Sequence, residues 1–245
     1  MVVLAGGKSS RMGSDKCDLK IEKSTFLEWQ IEKGRKLGIT DIQVSGYHGK
    51  ACSVPVTPDR FPGKGPLGGL ESCFRRAREE QVLVLGVDIP LVPAEELERL
   101  VFQSLEKQKK AVILRHRGKE EPLAGVYDRD LADEMLAEIR ERKGSVFAFL
   151  NRIGYDICES TAPEESFANI NRPEDYHRRI VLEHFQAANL AGLGLTDLSC
   201  GMIAAGALLK YLYETQKQPL THMTHLQTYT IGKYMIIDSS SRRNL

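Results

Sequence analysis

The chain opens MVVLAGGKSSRMGSDK, an apolar run that breaks at Gly6 and Gly7 and passes into a segment carrying Lys8, Arg11 and Lys16. A strand ending at Leu4 and turning on two residues without side chains lets backbone N–H groups approach an anion that a β-carbon would hold away. The three cations that follow lie within reach of a triphosphate. This is the pattern of a nucleotide-phosphate cradle on an α/β sheet. The phosphate loop of simple NTP hydrolases, GxxxxGK[ST], is a poor match, because the glycine it requires five residues before Gly7 is Val2 here.

The rest of the chain supports an α/β reading. Strand-like runs at MVVL, Asp41 to Ser45, Val82 to Val87 and Ala111 to Leu114 alternate with helical patterns at Phe26 to Leu37, Leu67 to Arg78 and Ala94 to Leu105. Leu131 to Arg142 and Ser145 to Leu150 have helical spacing, Tyr155 to Glu159 reads as a last strand, and a further helix is expected around Pro173. Such alternation predicts a mostly parallel sheet with helices on both faces, with ligands at the carboxyl ends of the strands.

Composition narrows the function classes. Lys and Arg total 34 against 33 Asp and Glu, so net charge draws the chain neither to nucleic acid nor to a membrane surface. The five cysteines, Cys17, Cys52, Cys73, Cys158 and Cys200, are scattered and include no CxxC, which argues against a disulfide frame or a zinc site. With no signal-peptide pattern and no apolar run of about eighteen residues, a soluble, cytoplasmic protein is expected. His222 and His225 lack companion ligands at metal spacing, and no Ser/His/Asp set has recognisable surroundings, so neither zinc nor covalent catalysis is indicated.

Four further stretches can carry chemistry. Asp88 follows VLVLGV and precedes Ile89 and Pro90, where its carboxylate would project beyond a central strand and suit magnesium, or would cap a loop. GKGPLGGL, Gly63 to Leu70, puts Gly65, Gly68 and Gly69 where a helix begins, either as bare backbone against a flat ligand or as an ordinary turn. Asp59, just upstream, is placed to bond a base or ribose, or to hold a turn. Asn169 and Asn171 in NINRPED offer amide donors and acceptors to a ligand, or an Asx turn. EPLAGVYDRD, Glu121 to Asp130, has small residues, Ala124 and Gly125, that would make room for a second substrate, or is a plain edge strand.

Taken in order, LAGGKSSRMGSDK, PDRFPGKGPLGGL, VDIPLV, EPLAGVY and NINRPEDY closely resemble the MobA-type molybdenum cofactor guanylyltransferases over about residues 1–178. The resemblance implies a Rossmann-like nucleotidyltransferase fold that joins GMP from GTP to molybdopterin and releases pyrophosphate with Mg2+. It implies GTP on Leu4, Ala5, Gly6 and Gly7, with Arg11 and Lys16 at the phosphates and Lys16 the main catalytic cation. Asp59 falls on the base-side acid, Asp88 on the magnesium ligand, which counts with Lys16 and Arg11 among the catalytic residues, Gly65, Gly68 and Gly69 on the loop beside the nucleotide, and Asn169 and Asn171 on the closing asparagines. The double glycine favours guanine over the cytosine of cytidylyltransferase relatives. Partners among the proteins of cofactor biosynthesis follow from the same resemblance, and nucleic acid is not expected as one. The alternative within this chemistry is nucleotide transfer to a sugar 1-phosphate.

After Ile180 the texture changes. LEHFQAANLAGLGLTDLSCGMIAAGALLKYLYETQ and KYMIIDSSSRRNL resemble a piece of the MutS mismatch-repair core over about residues 182–245, entering its central helical region. Ile203, Leu208, Leu209 and Leu212 would share one apolar helix face within a pattern from Thr196 to Thr215. The mismatch-reading, ATPase and clamp parts have no counterpart, so a DNA-repair interaction module is the alternative of another class. The expected organisation is therefore a nucleotidyltransferase domain at 1–179 and an incomplete, mainly helical MutS-like fragment at 180–245.

Overall fold

A computed structural model describes residues 1–5, 16–21, 24–49, 51–141 and 145–170, and the backbone of 229–231 and 234–236. The chain divides into two units, Met1–Tyr176 and His177–Leu245. In the second, Tyr229–Ile231 and Tyr234–Ile236 form an antiparallel pair. The helical patterns expected around Pro173 and over Thr196 to Thr215 lie outside the described residues.

The first unit runs β1 (Val2–Leu4), a 3-10 turn (Lys16–Asp18), a small antiparallel pair β2 (Lys20–Ile21) and β3 (Ser24–Thr25), α1 (Phe26–Lys36), β4 (Gln43–Ser45), β5 (Val56–Thr57) and α2 (Pro66–Phe74). It continues through β6 (Gln81–Gly86), α3 (Ala94–Ser104), β7 (Ala111–His116), β8 (Lys119–Asp128), α4 (Ala132–Glu141), α5 (Val146–Ile153), β9 (Asp156–Glu159) and a 3-10 turn, Glu164–Phe167. The main sheet has the order β5-β4-β1-β6-β8-β7-β9. All its neighbours are parallel except β8, which is antiparallel to both β6 and β7. The expected Rossmann-like, mostly parallel α/β architecture is therefore what the chain forms.

One expectation is corrected here. β8 carries EPLAGVYD and lies inside the sheet, while β5 and β9 are the edges. Nor do its small residues open space for a substrate. A β-carbon on Gly125 would lie 2.9 Å from Ile113 Cγ2, from Tyr127 Cε2 and from the Val112 carbonyl oxygen, and Ala124 is fully buried. The missing side chain makes room for the neighbouring Ile113 and Tyr127, since a close-packed interior leaves no spare volume there.

Alternation places Val2 and Leu4 of β1 in a core shared with Leu67, Leu70 and Phe74 of α2, Met135 and Ile139 of α4 and Phe149 and Leu150 of α5. Tyr127 is wholly buried there, its hydroxyl donating to the Pro122 carbonyl, with its ring edge-on to Phe74. α1 and α3 contribute nothing to this cluster; they pack against β1 and against β7 and β8.

Local chemistry sets the start of α1. The Thr25 hydroxyl accepts from the Glu28 N–H (3.2 Å) while Glu28 Oε2 accepts from the Thr25 N–H (2.8 Å), a reciprocal cap that ties down two otherwise orphaned donors. The Thr25 N–H, together with the Thr25 hydroxyl that donates to the same carboxylate oxygen (2.9 Å), holds the Glu28 carboxyl below its ordinary pKa. The helix ends at Gly38, whose φ of +75° lets the Ile39 N–H turn back to the Gly34 carbonyl (3.0 Å).

Candidate active site

The carboxyl ends of three adjacent strands meet at one level. Leu4 of β1 pairs with Ser45 of β4 on one side and with Gly86 of β6 on the other. Beyond this level the backbone stays tied, for the Ala5 N–H donates to the Ser45 carbonyl (2.8 Å) and the Val87 N–H to the Leu4 carbonyl (3.0 Å). Leu4 and Ala5 are thus locked between Ser45 on one side and Gly86 and Val87 on the other.

Two anchors draw other candidate residues to this edge. The thiol of Cys17 donates to the Ala5 carbonyl (3.3 Å), so the turn that begins at Lys16 is held against the end of β1. Lys16 is half-buried. On the far side, the Ile170 N–H donates to the Asp88 carbonyl (2.9 Å), which brings the segment containing Asn169 to the end of β6. Phe167 in that segment stacks on His116 at the end of β7, with ring centroids 4.8 Å apart and planes 6° from parallel. The segment 167–170 therefore crosses from β7 to β6, over the start of the intervening β8.

Asp88 leaves β6 half-buried, with Ile89 and Pro90 buried behind it. A β-carbon on Gly86 would lie 2.6 Å from Asp88 Oδ1, so this glycine leaves the carboxylate the space it occupies over the strand end. Sequence reading passed over Gly86, although GVD displays it.

The start of α2 completes the edge. Gly65 takes φ +68° and ψ −163°, a conformation that side chains resist, and Pro66 then opens the helix. A β-carbon on Gly69 would fall 2.3 Å from Ser45 Oγ and 3.4 Å from Leu4 Cδ2. One on Gly68 would meet the Phe61 carbonyl oxygen at 2.9 Å and Asp59 Oδ1 at 3.0 Å. The paired glycines thus let the first turn of α2 sit against the strand ends and let the Asp59 loop fold down on that turn. Asp59 does hold a turn, its Oδ1 accepting from the Phe61 N–H (2.7 Å).

That loop is fixed from beneath by residues the sequence did not flag. Glu71 is fully buried and accepts from Arg60 Nη1 and Arg75 Nε, both at 3.0 Å. Ser72 accepts from the Arg60 N–H (2.9 Å) and donates to the Gly68 carbonyl (2.9 Å). Gln43 donates to the Cys73 carbonyl (2.9 Å) and accepts from Thr57 (2.7 Å). Burial pushes the Cys73 thiol up to about 12, so it stays protonated and unreactive.

Leu4, Ala5, Lys16, Asp59, Gly65, Gly68, Gly69, Asp88 and Asn169 are accordingly carried by segments that meet at the carboxyl ends of β1, β4 and β6. Gly6, Gly7, Arg11 and Asn171 lie outside the described residues. Among the described residues no three His, Cys, Asp or Glu side chains cluster as a protein-only metal cage, and no helix is long and apolar enough to cross a membrane.

Comparison with known proteins fits this geometry. Residues 1–153 match the MobA-like NTP transferase domain. The chain belongs to that family. It is 32% identical over 185 residues to the probable molybdenum cofactor guanylyltransferase of Carboxydothermus hydrogenoformans, covering 73% of this chain and 93% of that protein. The crystal structure of molybdopterin-guanine dinucleotide biosynthesis protein A from Archaeoglobus fulgidus shares its fold, with a TM-score of 0.62 and 24% identity over 74% of this chain and 96% of that one. This MobA-like chain is thus a nucleotidyltransferase by family.

Residues 164–227 match MutS domain II, which identifies the part of MutS involved. The DNA mismatch repair protein MutS of Lachnoclostridium phytofermentans is 62% identical over 63 residues, 26% of this chain but 7% of that protein. The match begins within the 3-10 turn Glu164–Phe167, whose Phe167 and following Ile170 belong to the first unit.

Proposed function

We propose that this chain transfers GMP from GTP to molybdopterin, forming the guanine dinucleotide of the molybdenum cofactor and releasing pyrophosphate. The observation that carries the reading is the shared level of Leu4, Ser45 and Gly86, which brings the Lys16 turn, the Asp88 loop and the Asp59 to Gly69 segment to one sheet edge. The guanylyltransferase relatives support the choice of nucleotide and acceptor.

In this reading guanine lies beside the exposed backbone of Gly65, while the buried Gly68 and Gly69 act indirectly by seating α2 and the Asp59 loop, and Asp59 accepts from the base N–H groups. Gly6 and Gly7 turn backbone N–H groups to the phosphates, and Arg11 and Lys16 neutralise them. A terminal phosphate oxygen of molybdopterin attacks the α-phosphorus of GTP. A new P–O–P bond forms as the bond to the β-phosphate breaks, and pyrophosphate leaves with its electron pair. Two anions must be brought together, so the chain's contribution is alignment and charge neutralisation, with no protein nucleophile. Asn169 and Asn171 offer amide donors and acceptors to the bound substrates.

Asp88 suits Mg2+, since it is a hard oxygen donor at a strand end, given its space by Gly86. A single carboxylate leaves most coordination positions to phosphate oxygens and water, which is how Mg2+ is commonly held beside nucleotides. Bound there, Mg2+ would offset charge on the phosphates and on departing pyrophosphate. We further assign residues 1–179 as the catalytic domain and 180–245 as a MutS-like fragment that takes no part in the transfer.

The test is incubation of the full chain with Mg2+, molybdopterin and either GTP or CTP, with mass analysis of products. The guanine dinucleotide and pyrophosphate should appear with GTP. A product with CTP alone, or with a sugar 1-phosphate in place of the pterin, would move the chain to another branch of the same chemistry.

A further inference from the structure

Two buried polar side chains of α1 spend their donors on one short stretch of backbone. Gln30 Nε2 donates to the Gly86 carbonyl (2.7 Å) and to the Ile89 carbonyl (3.2 Å). Lys33 Nζ donates to the Pro90 carbonyl (2.6 Å). The three acceptors bracket Asp88, and no other contact is needed to see that α1 grips the loop on both sides of that carboxylate.

The grip is costly as packing alone. Gln30 is fully buried and its Oε1 has no hydrogen-bond partner among the described residues; Lys33 is 7% exposed and has no ion-pair partner among them. A buried amine without a counter-charge is disfavoured by desolvation, and burial accordingly lowers the pKa of Lys33 to about 7. An apolar pair at these positions would cover the same surface without that cost, but would leave three strand-end carbonyls unheld. The helix is itself rigidly started by the Thr25–Glu28 cap, so its side chains are fixed props. Outer residues that orient a cation's ligand act on affinity through such props.

We propose that Gln30 and Lys33 are positioning residues that fix the Asp88 carboxylate at the height required to share a divalent cation with nucleotide phosphates. The proposal rests on Asp88 being the cation ligand. Neither side chain touches substrate. Cutting either tie lets the 86–90 segment tilt, and a displacement of about 1 Å is enough to loosen a site of this kind.

The experiment uses the full chain and Mn2+ as probe. Loss of the free-ion electron paramagnetic resonance signal is titrated with GTP present and corrected for Mn2+ bound by GTP alone. Lys33→Met and Gln30→Met should each weaken protein-dependent Mn2+ binding by about 10-fold or more, while GTP affinity measured without metal changes less than about 2-fold. The Mg2+ concentration for half-maximal transfer should rise in parallel, with kcat recovering at saturating Mg2+. Gln81→Leu, which removes a glutamine–carbonyl bond (to Ser104) at the amino end of β6, the end opposite Asp88, should lower stability and leave Mn2+ binding unchanged.

If Asp88→Asn abolishes Mn2+ binding while both methionine variants bind as wild type, the positioning role is wrong and the reading of Asp88 stands. If wild type and Asp88→Asn bind Mn2+ equally, the reading of Asp88 fails and takes this proposal with it. Should Lys33→Met not fold, Gln30→Met alone decides, because it cuts two of the three ties.

Discussion

Gly68 and Asp59 are in contact through a missing atom: a β-carbon on Gly68 would lie 3.0 Å from Oδ1 and 3.3 Å from Oδ2 of Asp59. The Phe61 carbonyl oxygen would be closer still, at 2.9 Å, and backbone cannot swing aside as a side chain can. On helix propensity alone Gly68→Ala would stabilise by about 1 kcal/mol. We expect the opposite sign, with the Asp59 loop lifted from α2, and KM for GTP raised about 10-fold with a smaller change in kcat. Steady-state kinetics and a denaturant melt check both signs; a stabilised variant with unchanged KM would separate the loop from nucleotide binding.

Asp88→Asn keeps shape and loses the charge that suits a dication. The rate at limiting Mg2+ should fall by about 100-fold or more, as expected for several kcal/mol of lost electrostatic stabilisation, and part of it should return as Mg2+ is raised. Removal of divalent cations with a chelator should stop wild-type transfer. A wild-type rate for the variant at limiting Mg2+ would assign the cation to another residue.

Glu71 is the buried centre of a network in which Arg60 and Arg75 retain access to water. Because its partners can rehydrate, Glu71→Ala should cost about 1–3 kcal/mol rather than the larger penalty of a stranded charge. Glu71→Gln should cost less, since one acceptor remains. Urea melts of the two variants give the comparison. As Arg60 sits in the Asp59 loop, the alanine variant should also bind GTP more weakly.

Lys33 makes stability depend on pH in a defined direction. Its ordinary pKa is 10.5 and its folded value is about 7, so between these pH values the unfolded chain binds the extra proton. Stability from this residue therefore rises with pH from about 7 to about 10.5, and is level below 7, where both states are charged. Lys33→Met removes the penalty of the buried charge. Relative to wild type it should be more favourable at pH 6.5 than at pH 9.5, by an amount on the order of several kcal/mol. Melting at the two pH values gives the difference directly, and the same gap at both would mean that Lys33 remains charged in the fold.

Much of the candidate site is legible in the sequence, for a physical reason. A strand that stops at a double glycine, an acid directly after an apolar run, and glycines beside a proline at a helix start are all dictated locally, by backbone conformation and burial period. Asp88 and the Gly65 to Gly69 segment announce themselves in this way. Ser45, Gln30 and Lys33 do not, because each acts on a residue far away in the chain. Nothing in WQIEKGRK says that Gln30 and Lys33 reach a loop 56 to 59 residues on.

β8 shows the limit most clearly. Its Ala124 and Gly125 suggested room for a second substrate, yet Ile113 and Tyr127 fill that room. Small size is visible in a sequence; what occupies the neighbouring space is decided by strand order, and β8 lies between β6 and β7 although it follows β7 in the chain. The sequence by itself determined the α/β class and the two-part character of the chain, since these depend on local conformation and hydrophobic period. Only the tertiary structure decided which distant residues share the sheet edge and which props hold them there, because those pairings come from sheet register and packing between elements remote in sequence.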